Sequence, residues 1–92
     1  MTGFKIFSSN LRAFLLLNNF KILSIQTKNC PPKSEAEYYL LTPENTELKL
    51  FIEYMEDINP RLVDIKYRLE YSPILGLSIA VRMLENFFSR FK

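Results

Sequence analysis

Histidine and tryptophan are absent from this chain of 92 residues, cysteine occurs once and glycine twice. Without histidine there is no imidazole acid–base chemistry, no histidine-activated nucleophile, and no member of the commonest zinc ligand sets. The single cysteine, Cys30, excludes a disulfide within the chain and fits a reducing, cytoplasmic setting. Gly3 and Gly76 leave no glycine-rich loop to cradle a phosphate. No apolar run reaches the roughly 18 residues of a membrane span. Leu11 to Leu17 is interrupted by Arg12 and leads into strand-like sequence without a small-residue cleavage site, so it reads as part of the fold and not as a signal peptide. No cofactor, metal site or membrane contact is expected.

What remains is ordinary globular material. Hydrophobic residues make up 48% and charged residues 24% of the chain, enough apolar surface to build a core, and the length suits one domain over residues 1–92. Net charge is +2, yet the signs are segregated. Lys5, Arg12, Lys21, Lys28 and Lys33 open the chain with no acid among them, whereas residues 34–70 hold Glu35, Glu37, Glu44, Glu47, Glu53, Glu56, Asp57, Asp64 and Glu70 against four bases. Such segments either neutralise each other within the fold or form a two-signed surface that orients a partner.

Local patterns predict the elements. Phe4 to Phe7 reads as a short strand, and Ser8-Ser9-Asn10 offers caps for a helix carrying Leu11, Phe14 and Leu15 that stops at Asn18-Asn19. Phe20 to Thr27 reads as a strand, Lys28 to Ser34 as a loop around two prolines, and Ala36 to Leu41 as a third strand. Thr42-Pro43 reads as a helix start, followed by a helix with Leu48, Phe51, Ile52 and Met55 on one face and ending at Asn59-Pro60. From Val63 to Tyr71, apolar residues alternate with Asp64, Lys66, Arg68 and Glu70, which predicts a strand with one wet face. After Ser72-Pro73, the residues Ile74, Leu77, Val81, Leu84, Phe88 and Phe91 form the stripe of an amphipathic helix.

That order, β-α-β-β-α-β and then α, predicts an α+β protein with a ferredoxin-like antiparallel sheet over residues 4–71 and an added C-terminal helix over 73–91. Strand four would pair with strand one. The terminal helix has two destinations: the open face of the sheet, or the same helix of a second chain in a homodimer, for which Leu84, Phe87, Phe88 and Phe91 are the candidate assembly residues.

Two resemblances bear on function. Ile6-Phe7-Ser8-Ser9-Asn10-Leu11 resembles the first short motif of RNA-recognition domains, which implies bases stacked on Phe7 and Tyr39. The second motif departs from that pattern, because Glu35, Ala36 and Glu37 stand where its basic start, glycine and first stacking aromatic belong. Lys5 to Met55, with Leu11, Leu15, Phe20-Lys21-Ile22, Tyr38-Tyr39-Leu40, Glu47-Leu48 and Phe51-Ile52, looks like an uncharacterised small domain of bacterial prophages. It implies no chemistry, but a mobile-element context in which small proteins bind host machinery, host-defence complexes included.

Cys30 has neither a histidine nor a second cysteine to support haem ligation or nucleophilic work, and reads as a surface residue. The expectation is therefore a non-enzymatic protein that binds another protein, with Glu44, Glu47, Glu53, Glu56 and Asp57 on the second helix as the docking patch. Single-stranded RNA binding through Phe7 and Tyr39 is the alternative.

Overall fold

The computed structural model describes residues 3–30, 32–56, 62–71 and 77–90. Its element order is α1 (Gly3–Leu17), β1 (Lys21–Cys30), β2 (Lys33–Leu41), β3 (Glu47–Glu56), β4 (Leu62–Tyr71) and α2 (Leu77–Ser89). The four strands form one antiparallel sheet in the order β1-β2-β3-β4. The protein is α+β, with helices at the two ends of a meander. The ferredoxin-like order is overturned: the segment read as the first strand is helix, the segment read as the second helix is strand, and β4 pairs with β3 at the sheet edge instead of with the first strand.

In both departures the local pattern also fits the element that the structure adopts. Phe7, Leu11 and Leu15 recur every four residues and are all buried, so one apolar stripe runs through the Phe4–Phe7 segment and draws it into α1. The end of α1 is as the sequence predicts. Asn19 adopts φ 65°, its N–H donates to the Leu16 carbonyl (3.2 Å), and the Phe20 N–H reaches back to the Leu15 carbonyl (2.9 Å). Leu15 and Phe20 are both buried, the apolar contact that accompanies this left-handed helix ending.

At Thr42-Pro43 the chain makes a hairpin. The Asn45 N–H donates to the Thr42 carbonyl (2.9 Å), the Thr42 N–H donates to the Thr46 carbonyl (2.9 Å), and the Thr46 N–H donates to Thr42 Oγ1 (3.1 Å). Proline's fixed φ suits the second position of a β-turn as well as the first turn of a helix; Asn45, at φ 62°, supplies the left-handed residue that returns the chain. Beyond it Leu48, Leu50, Ile52 and Tyr54 alternate into the core at period two. Phe51 and Met55, apolar but outward, are what gave that strand its helix-like spacing.

The alternating segment after residue 61 is β4 as predicted. Ile65, Tyr67 and Leu69 pack against the core, while Asp64, Lys66, Arg68 and Glu70 are exposed. The β1–β2 hairpin is tighter than expected, since β1 continues to Cys30 and β2 begins at Lys33. Both helices cover the same face. Phe7 of α1 meets Phe87 and Phe88 of α2, each at 5.8 Å between ring centroids, and meets Tyr54 of β3 at 5.4 Å. Tyr67 of β4 stacks on Phe88 at 4.1 Å and 8°. Of the two expected destinations the terminal helix takes its own sheet, but on the face that α1 also covers and not on the open one: it lies beside α1 with Phe88 against Tyr67 of β4.

Candidate functional site

With both helices on one side, the opposite side of the sheet is the surface left open among the described residues. Because opposed residues in an antiparallel pair share a face, the strand registers spell it out in rows. One row runs Ser24, Tyr39, Lys49, Glu70; the next Gln26, Glu37, Phe51, Arg68; the next Lys28, Glu35, Glu53, Lys66; and the last Cys30, Lys33, Met55, Asp64. Lys21, Leu41 and Glu47 lie beyond the first row.

The rows are internally matched. Tyr39 donates its hydroxyl to Glu37 Oε2 at 3.0 Å, and Lys49 Nζ stands 5.2 Å from the Tyr39 ring centroid. Arg68 Cζ lies 4.5 Å from the Phe51 ring centroid, within reach of a cation–π contact. Glu35 and Glu53 are direct neighbours of like charge, and Lys33 answers both, at 3.9 Å and 3.2 Å. The hydrogen bond to Glu37, together with that carboxylate's charge, pushes the Tyr39 phenol above its ordinary range and keeps it protonated. Shallow grooves follow the rows; one is lined by Glu35, Glu37, Phe51, Glu53, Lys66 and Arg68.

The residues expected to carry function are distributed differently from the sequence reading. Glu44 lies in the β2–β3 turn, Glu47 and Glu53 lie on the open face six residues apart along β3, and Glu56 ends that strand. Asp57 lies outside the described residues. The acidic helical patch does not exist as such, because its helix is a strand whose acids alternate with inward residues. Leu84, Phe87 and Phe88 are buried against the chain's own sheet and form no free assembly surface, and Phe91 lies outside the described residues. Phe7 is buried in the core while Tyr39 is on the open face, so the sheet separates the two aromatics that the RNA reading would bring together. Cys30 is exposed at the end of β1.

Sequence reasoning missed Phe51, Lys49 and Arg68 as members of this surface. The signal was present: alternation from Glu47 to Met55, once Thr42 to Thr46 is read as a turn.

One titratable cluster lies away from this face. The hydroxyls of Tyr38, Tyr54 and Ser8 interact in the core, and burial raises both phenols above their ordinary 10.0. Among the described residues no group of three or more His, Cys, Asp or Glu is placed to hold a metal ion, and no helix is long and apolar enough to cross a membrane. Compared with protein-family models, curated proteins and solved structures, the chain matches none of them.

Proposed function

We propose that this is a cytoplasmic, non-enzymatic binding protein that docks another protein through the open face of its sheet. The observation that carries the reading is the composition of that face: two aromatics, Tyr39 and Phe51, sit among interleaved charges, each with a cation over its ring. Aromatics ringed by polar groups are the ordinary make-up of a protein-binding surface. The face holds Lys21, Lys28, Lys33, Lys49, Lys66 and Arg68 against Glu35, Glu37, Glu47, Glu53, Asp64 and Glu70. That balance gives little pull on a polyanion but strong orientational preference toward a partner of matching pattern. The resemblance of residues 5–55 to a small prophage domain, read from the sequence, extends the proposal to an accessory that occupies a host complex, such as a defence assembly.

The test is affinity purification from the native cell, with and without nuclease, using the natural chain and a Tyr39→Ser/Phe51→Ser variant. The expected result is a protein partner that survives nuclease and is lost with the variant, whose circular dichroism is unchanged. A partner retained by the variant moves docking off this face, and one released by nuclease replaces the reading with nucleic-acid binding.

A further inference from the structure

Among the described residues both edges of the sheet, β1 and β4, are paired with a strand on one side only, and exposed edges are natural sites for pairing with another strand. They differ in charge. β1 carries Lys21 and Lys28 and no acid to meet them from a second copy, whereas the open-face residues of β4 read Asp64, Lys66, Arg68, Glu70, in signs minus, plus, plus, minus.

Antiparallel pairing of β4 with itself requires a two-fold axis perpendicular to the sheet, which sets residues of one face opposite residues of the same face. Centred on Tyr67, Asp64 meets Glu70 and Lys66 meets Arg68, all like charges. Centred on Lys66, Asp64 meets Arg68 twice but Lys66 meets its own copy at the axis; centred on Arg68, Lys66 meets Glu70 twice but Arg68 meets its own copy. Centred on Ile65, pairing runs into the register shift where Val63 is extra between the Met55–Asp64 and Glu56–Leu62 pairs. Centred on Leu69, the pairing runs over residues 67–71, the stretch of β4 that has a counterpart in the second copy, and no like charges meet within it: Arg68 meets Glu70 of the second copy twice over. On the helix face, Tyr71, which is 44% exposed, comes opposite Tyr67 of the second copy.

We propose that the chain forms a homodimer by antiparallel pairing of β4 with β4 of a second copy about Leu69, giving one continuous eight-stranded sheet. All four helices then lie on one side, and the two open faces join into one surface. The proposal is independent of what that surface binds.

Sedimentation equilibrium tests it. The natural chain is expected at twice its 10.9 kDa mass, with two reciprocal ion pairs holding the register. Arg68→Glu or Glu70→Arg alone sets like charges opposite each other at two points, and is expected to raise the dissociation constant by roughly tenfold or more. The double variant Arg68→Glu/Glu70→Arg restores opposite signs and is expected to return to the natural value, while Lys21→Glu on β1 leaves the mass unchanged. Circular dichroism of each variant establishes that it is folded. A natural chain that stays monomeric at high concentration, a dimer indifferent to the single reversals, or a double variant that fails to recover overturns the proposal.

Discussion

At Tyr54 a polar group sits in the densest part of the core. The side chain is fully buried, its ring edge meets Phe7, and its hydroxyl interacts with Tyr38 and Ser8. An ionised phenol is costly there, and burial raises both Tyr54 and Tyr38 above 10.0. In the unfolded chain these groups lose their protons from about pH 10 upward, while in the folded chain they hold them longer. Their contribution to stability is therefore complete below the unfolded value and is lost as the pH climbs toward the folded ones. Urea unfolding should give a stability that is level between about pH 7 and 9 and falls above about pH 10. Tyr54→Phe removes one titrating phenol, and that fall should be shallower; an identical slope would show that Tyr54 does not contribute.

At the scale of elements, two asparagines place the boundaries. Asn19 and Asn45 are non-glycine residues at positive φ, one ending α1 and one turning β2 into β3. The Asn45 turn sets the register of β2 on β3, bringing Glu47 opposite Leu41 and Leu48 opposite Leu40. Asn45→Gly should be neutral or slightly stabilising. Asn45→Val, a β-branched residue forced to the same dihedral, should cost about 1–2 kcal/mol. Thermal or urea melts of the two variants measure the difference, and equal stabilities would mean that the turn relaxes to another form. Phe51 gives this strand its double character: an apolar residue facing outward, beside inward Leu50 and Ile52, turns a period-two pattern into one that also fits a helix.

At the scale of the whole molecule, the segregation of charge along the chain becomes mixing in space. The acid-free β1 lies beside β2 with Lys28 opposite Glu35, and the acids of β3 meet Lys33 from β2 and Lys66 from β4. These contacts are solvent-exposed, so they set the pattern of the surface more than the stability of the fold. Lys33→Ala should cost less than about 1 kcal/mol, and 1 M NaCl should lower that cost further. A paired denaturation series at low and high salt checks it, and a larger loss would make the Lys33–Glu35–Glu53 group structural.

By itself the sequence determined the elements whose pattern admits one solution. Strict alternation from Val63 to Tyr71 can place apolar groups on one side only as a strand, the stripe from Leu77 to Phe88 can do so only as a helix, and Asn18-Asn19 ends α1 through a conformation few other residues take. Tertiary structure decided the segments where two periods fit equally. Phe4 to Phe7 joined α1 because Phe7 is buried among Tyr54, Phe87 and Phe88, rings that lie 47 or more residues away along the chain. Glu47 to Glu56 became a strand because β2 and β4 flank it on both sides and satisfy its backbone. The location of the open face followed from those two outcomes, since it depends on which side the helices cover, and that is settled by contacts between residues far apart in the chain.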